Sequence, residues 1–307
     1  MTGKAVVTGA NGFIGKNLVA HLIGAGWKVL AVDKVPCEGL GTESLTLDVA
    51  TPGVLTPRLD DRTVVFHLAA SADIRTSVED PRMDFTNNVG GLFETLESAR
   101  GRGSRFVFAS SASVFDAGND LPWTETGLQR PMSPYAAGKL AGEVYCSAYH
   151  RCYGVDVRVA RMFNVYGIGM VRFAIHDLIR KIQANPARIE ILGDGNQVRD
   201  FLYVEDAARG LTAIATNGKP GEDYNLASGA PVRLLDLARA IATLMGHSSI
   251  MLAPTGRSFP GDTPKWYADI SKIRGIGWEP QVPLDEGLRR TIAWLGAGAG
   301  TRPARAR

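Results

Sequence analysis

Tyr135 and Lys139 stand four residues apart in 133–153, a stretch whose patterning predicts a long helix. That spacing stacks their side chains on one helix face. A phenol titrates near ~10 and is a poor base at neutral pH. A neighbouring ammonium stabilises the phenolate, which can then take a proton from an alcohol while hydride leaves the same carbon. Upstream, Phe108-Ala-Ser-Ser111-Ala-Ser113 ends a predicted strand, and the strand ends of an open parallel sheet are where ligands bind. Ser111 is placed to share a hydrogen bond with the alcohol. Taken alone, Tyr135 also reads as an ordinary helix residue and the serines as turn formers. The chemistry requires a hydride acceptor, and that acceptor has its own sequence signature.

Gly9-Ala-Asn-Gly12-Phe-Ile-Gly15 lies between a first predicted strand and a first predicted helix. Gly9 permits a tight turn, Gly12 lets the backbone approach a pyrophosphate, and Gly15 allows close helix–sheet packing. The helix N-terminus offers unpaired N–H groups and the positive end of its dipole to the anion. Asp33 ends the second predicted strand. A carboxylate there accepts both ribose hydroxyls and repels a 2′-phosphate, which favours NAD over NADP. Lys34, beside it, is a base able to accommodate that phosphate. Without its neighbours, Asp33 is equally a solvated turn residue.

These residues need a scaffold. Apolar runs predict strands over 4–8, 29–32, 63–68, 105–109 and 155–160, and helical spacing predicts helices over 14–24, 89–102 and 133–153. Their alternation predicts an α/β fold, a Rossmann-type doubly wound parallel sheet. After about Val165 the rhythm changes to helices near 172–184, 205–216, 234–245 and 284–295 with Gly/Pro-rich connections. The expected organisation is an NAD-binding domain over 1–165 and a smaller, mainly substrate-binding α/β domain over 166–296. Some segments of the second are expected to return to the first, and 297–307 is expected to be a disordered tail.

Composition sets the class. The chain is 45% hydrophobic and 21% charged, as in ordinary globular proteins. Its net charge of +3 is accounted for by Arg302, Arg305 and Arg307, so it does not point to nucleic acid. The cysteines, Cys37, Cys146 and Cys152, form no disulfide framework and fit a reducing compartment. The histidines lack metal-ligand spacing, so no metal is expected. There is no apolar run of membrane-spanning length and no signal-peptide pattern, so a cytoplasmic enzyme is expected.

TGANGFIG, HLAA (67–70), NNVGG (87–91), ASSASVF (109–115), SPYAAGK (133–139), RMFNVYG (161–167), GDGNQVRDFLYVEDAARG (193–210) and PGDTPKWYADISK (260–272) follow one another in order. In this the chain resembles the extended short-chain dehydrogenases, in particular the NAD-dependent epimerase/dehydratase family and its UDP-glucose and UDP-glucuronate 4-epimerase branches, over roughly 3–296. The resemblance implies NAD as cofactor, a UDP-sugar as substrate, and Ser111, Tyr135 and Lys139 as the catalytic set. It implies that Gly9, Gly12, Phe13, Ile14 and Gly15 hold the pyrophosphate, that Asp33 and Lys34 flank the adenosine ribose, and that Asp48 and Val49 contact adenine. Leu68, Ala69, Ala70, Asn88, Ala109 and Met162 would border the cofactor channel, and Lys139 would also hold the nicotinamide ribose. For the substrate it implies Ser111, Ser113, Asn164, Arg199 and Asp262, with Trp266 gating the room around the hexose. Phe259 stands where the family often carries arginine, with Arg257 nearby as a substitute. A homodimer is implied as well, pairing the helices near 89–102 and 134–152 with their copies.

The shared first step of that family gives a 4-keto sugar. An epimerase needs little beyond Ser, Tyr and Lys. Dehydratases of this kind place Asp-Glu where this chain has Ala112-Ser113, and related decarboxylases commonly have Glu at Ser113. Their absence favours 4-epimerisation of a UDP-hexose or UDP-hexuronate over dehydration or decarboxylation. A non-catalytic NAD-binding sensor is the remaining class. Arg75 and Arg172 lie in segments expected to border the sugar. Each reads either as a carboxylate-recognising fork or as an exposed surface arginine.

Overall fold

A computed structural model describes residues 3–257 and 263–298 of the chain. The first half runs β1 (Lys4–Thr8), α1 (Phe13–Gly24), β2 (Lys28–Asp33), β3 (Glu43–Thr46), β4 (Thr63–His67), α2 (Ile74–Glu79), α3 (Pro81–Phe85), a π-turn (Thr86–Gly90), α4 (Gly91–Ala99), β5 (Arg105–Ser111), α5 (Pro134–Tyr153) and β6 (Asp156–Met162). The second runs β7 (Asn164–Tyr166), α6 (Ala174–Ala184), β8 (Arg188–Ile191), β9 (Val198–Tyr203), α7 (Val204–Asn217), β10 (Asp223–Leu226), β11 (Pro231–Arg233), α8 (Leu234–Leu244), β12 (Met251–Pro254), α9 (Ser271–Arg274) and α10 (Leu284–Gly296).

The main sheet has seven parallel strands in the order β10-β6-β5-β4-β1-β2-β3. Strand side chains alternate between faces, and the core divides accordingly. Ala5, Val7, Val29, Ala31 and Val107 meet Leu18, Leu22, Leu211 and Ile214 of α1 and α7. Val6, Leu30, Val32, Phe106 and Phe108 meet Leu92, Leu96, Cys146 and Tyr149 of α4 and α5. Helices thus cover both faces, the doubly wound architecture expected. The order reverses between β1 and β4, and the loops after β1, β2, β4 and β5 open into the crevice at that switch point.

A third apolar cluster joins α6, α8 and α10 to two small sheets, β11-β9-β7 and β12-β8. β10 crosses back to complete the main sheet, pairing Asp223 with Val159 and Leu226 with Met162.

Two expected helices differ in extent. The helix read over 89–102 begins as α4 at Gly91, after the π-turn, and stops at Ala99 because Gly101 takes φ +73°. The helix read from 172 begins at Ala174, because Phe173 sits at φ +76°, outside helical backbone. β3, α2, α3 and the strands of the second half are short segments that the sequence pattern does not announce. From residue 299 the expected tail lies outside the described residues, as do Phe259 and Asp262. Among the described residues no helix is long and apolar enough to cross a membrane.

Candidate active site

The glycine loop is as tight as its spacing implies. Gly9 takes φ +70°, and a Cβ there would stand 2.7 Å from the Ala69 backbone nitrogen. A Cβ on Gly15 would overlap the Gly9 carbonyl oxygen. α1 starts at Gly12 with no side-chain cap and no acidic residue in its first turn, so its leading N–H groups stay available to an anion. Asp33 closes the far side. Its carboxylate accepts from the Asn11 N–H at 3.0 Å and the Val35 N–H at 3.1 Å, which fixes it against the glycine loop. Lys34 and Asp48 are exposed, whereas Val49 is buried in the core under Gly91.

The loop after β4 passes beside this turn. Leu68 and Ala69 are held by Thr8, through its carbonyl at 3.2 Å and its hydroxyl at 3.3 Å. Asn88, on the π-turn, accepts from the Ser71 N–H at 2.7 Å and donates to the Ser71 carbonyl at 3.1 Å. Leu68, Ala69, Ala70 and Asn88 therefore form one wall. Ala109 and Met162, on β5 and β6, lie further along the same strand ends.

α5 starts at Ser133, whose hydroxyl caps Ala136 N, with Pro134 at the first helical position. That start puts Tyr135 in the first turn, with the Ser111 hydroxyl at the end of β5 close enough to act on its phenol. The Ser111 hydroxyl also accepts from the Ser113 N–H at 3.2 Å and the Ser113 hydroxyl at 3.0 Å. Burial pushes the Tyr135 phenol up, and the Ser111 hydroxyl and the Arg172 charge oppose that rise. Lys139 is buried; its ammonium donates to the Ala109 carbonyl at 2.7 Å and lies 5.9 Å from the Tyr135 ring centre. Burial lowers its pKa to about 8. One turn on, Glu143 takes the Ser110 hydroxyl at 2.5 Å and Arg161 at 2.8 Å, bracing α5 against β5 and β6. Ser111, Tyr135 and Lys139 are thus brought together as the sequence implied.

The residues expected at the sugar are less uniformly placed. Asn164 donates to the Asp200 carbonyl at 2.8 Å, and β7 and β9 run side by side. Arg199 lies over the Trp266 ring at 5.5 Å and donates to the Pro264 carbonyl at 3.2 Å, so these two belong to one cluster. Trp266 also packs against Trp123 and Phe163, each 6.1 Å away between ring centres. Arg172 is engaged with the Asp73 carboxylate at 3.3 Å and the Ala72 carbonyl at 3.1 Å. Arg75, in the first turn of α2, is exposed. Asn17 bonds the Ile168 carbonyl at 3.0 Å, so 167–173 forms a strap from α1 to the loop before α2. Sequence reasoning missed Asp73 and also Asp84, a carboxylate only 1% exposed. Asp84 carries no motif; a buried acid on a short helix shows itself only in three dimensions.

Residues 5–227 match the profile of the NAD dependent epimerase/dehydratase family. The chain belongs to that family. A UDP-glucuronate 4-epimerase of Thermodesulfobacterium geofontis is 32% identical over 95% of this chain and 96% of its own. A dTDP-glucose 4,6-dehydratase of Streptomyces griseus is 31% identical over 96% of this chain and 94% of its own. The structure of a UDP-N-acetylglucosamine 4-epimerase from Methanobrevibacter ruminantium, in complex with UDP-N-acetylmuramic acid, superposes with a TM-score of 0.90 at 29% identity, over 97% of this chain and 99% of that one. The protein is an NAD-dependent nucleotide-sugar epimerase/dehydratase. The loop fits its cofactor: glycine at 9, 12 and 15 lets backbone pack against backbone with no side chain in the turn, the start of α1 is uncapped, and Asp33 stands at the ribose end.

Proposed function

We propose that this family member epimerises a UDP-hexose at C4 through a 4-keto sugar, with Ser111, Tyr135 and Lys139 as its catalytic set. The cofactor's part is to hold a hydride and give it back. Tyr135 takes the C4 hydroxyl proton and returns it when the alcohol re-forms. Ser111, at the end of β5 beside Tyr135, orients that hydroxyl. Lys139 is anchored by Ala109 and supplies the positive charge beside the phenol.

The observation that carries this reading is the turn after β5. Ala112 is fully buried and the Ser113 hydroxyl is spent on Ser111, so this turn presents no carboxylate to pull a proton from C5. The similarity to a dTDP-glucose 4,6-dehydratase supports the dehydratase as the second reading. The Arg172–Asp73 pair supports a neutral hexose over a uronate, because the guanidinium already faces a carboxylate. We assign the nucleotide diphosphate to Asn164 and Arg199, the sugar wall to Trp266, and the cofactor to the loops before residue 165. Phe85, Phe93, Tyr145 and Tyr153 are exposed on or beside α4 and α5, which supports a homodimer through that face.

The test is NMR with mass spectrometry on the protein given NAD and, separately, UDP-glucose, UDP-N-acetylglucosamine and UDP-glucuronate. The expected product is isobaric, inverted at C4, and formed fastest from UDP-glucose. Loss of water or carbon dioxide would overturn the epimerase reading; preference for UDP-glucuronate would overturn the neutral-hexose reading.

A further inference from the structure

Asp84 is the most buried carboxylate next to the Tyr135–Lys139 pair, and nothing in the reaction above uses it. It sits on α3 at 1% exposure. One oxygen accepts from the Asn88 amide at 2.8 Å. The other lies against α5, 3.6 Å from where a Cβ on Gly138 would stand, one residue before Lys139. A buried carboxylate is costly unless a positive charge compensates it. Of the charged neighbours on and between α2 and α3, Arg75, Glu79 and Arg82 are exposed, and the Asp80 carboxylate caps α3 by accepting from the Met83 N–H at 2.9 Å. His67, at the end of β4, is kept neutral by burial. The positive group that acts on Asp84 is the Lys139 ammonium. Burial lowers the Lys139 ammonium, and the Asp84 and Glu143 carboxylates oppose that fall; burial raises the Tyr135 phenol, and Asp84 adds to that rise while Arg172 opposes it.

We propose that Asp84 is a positioning residue of the active site: its buried carboxylate is the counter-charge of Lys139, and through Asn88 it fixes the Ser71 loop beside the cofactor groove. The Asn88 amide has two donors, one for Ser71 and one for Asp84, which leaves its oxygen facing the Ser71 N–H. Charge and geometry are therefore set by one side chain. The charge raises the phenol and the ammonium together, so it tunes the pH window of the pair without touching substrate.

This inference rests on Tyr135 being the proton acceptor. The test is Asp84→Asn, which keeps the acceptor for Asn88 and removes the charge, with Asp84→Glu as the charge-retaining control. In the pH dependence of kcat/KM with UDP-glucose, both limbs of Asp84→Asn are expected to move down together by about one pH unit, and those of Asp84→Glu to stay near the wild type. A purely structural role predicts a lower Tm with both limbs in place, and that result overturns the proposal. If no nucleotide sugar turns over, the epimerase reading fails while this one is still decided. Ultraviolet titration of the Tyr135 phenolate in NAD-bound protein, read as the difference from Tyr135→Phe, must then shift to lower pH in Asp84→Asn. An unshifted phenolate overturns it.

Discussion

Alanine at Gly15 and alanine at Gly24 are the same substitution in the same helix, and the structure gives them opposite signs. Helix propensity alone favours both, by about 0.8–1 kcal/mol in an interior position. Gly24, the last residue of α1, has nothing within 4 Å of the added Cβ. Alanine there should stabilise by about 0.5 kcal/mol, chiefly by restricting the unfolded chain. At Gly15 the Cβ overlaps the Gly9 carbonyl oxygen and lies 2.8 Å from the Ala10 Cα. Carbon atoms pack at about 3.5 Å or more, so α1 and the loop must part by roughly 0.7 Å. Such overpacking costs about 1–3 kcal/mol, which offsets the propensity gain and leaves a net loss of up to about 2 kcal/mol. The two variants should then differ in Tm by about 4 °C in scanning calorimetry. Gly9 is wedged between Gly15 and Ala69, so the displaced loop should also bind NAD at least about tenfold more weakly, read by isothermal titration. Equal Tm values for the two variants, with NAD bound as in the wild type, would refute the packing argument and leave propensity as the whole effect.

Other outcomes follow from the same geometry. Tyr135→Phe should lower kcat by about 10²- to 10⁴-fold while NAD affinity stays within a factor of about two; a smaller kcat loss in a single-turnover assay would remove Tyr135 from the proton path. Burial pushes the His67 imidazole down to about 3, so the folded state stays neutral where the unfolded state takes a proton. Stability contributed there is present above about 6.5 and is lost as pH falls toward 3; His67→Gln should flatten the fall in Tm across that window, and an unchanged slope would exclude His67 as its source. Tyr145→Glu, placed on the exposed face of α5, should turn a sedimenting dimer into a monomer with its Tm little changed. A dimer that persists would move the interface elsewhere.

The parts of this molecule legible in sequence are those where one local rule fixes one answer. Gly9, Gly12 and Gly15 are dictated by close backbone approaches, and Tyr135 and Lys139 by a helical repeat, so their places follow from spacing. β1, β4 and β5 are buried on both faces and read as continuous apolar runs. What stayed unread depends on distant partners. Asp73 caps α2 and also holds Arg172 across 99 residues, so the arginine that looked like a carboxylate fork is already paired. Phe173 delays the start of α6 to Ala174 through a backbone angle no motif announces. β7, β9 and β11 are strands only because they have each other as neighbours, with Asn164, Arg199 and Pro231 giving no alternation strong enough to declare a face. Asp84 is a charge that periodicity would assign to solvent.

β10 also bears on how the chain is made. β10 begins 61 residues after β6 ends, yet β6 is not finished without it. Arg158, 3% exposed, donates to the Gly218 carbonyl at 2.7 Å, and Arg161, 4% exposed, reaches Asp223 at 2.6 Å. Until residue 226 has left the ribosome, β6 is an open sheet edge whose two guanidinium groups have Asp156 and Glu143 but lack Gly218 and Asp223. The nascent first half is therefore a client of its own second half. A ribosome-tethered chain whose exposed part ends at 165 should be protease-sensitive along β6, whereas one whose exposed part extends past 226 should be protected there.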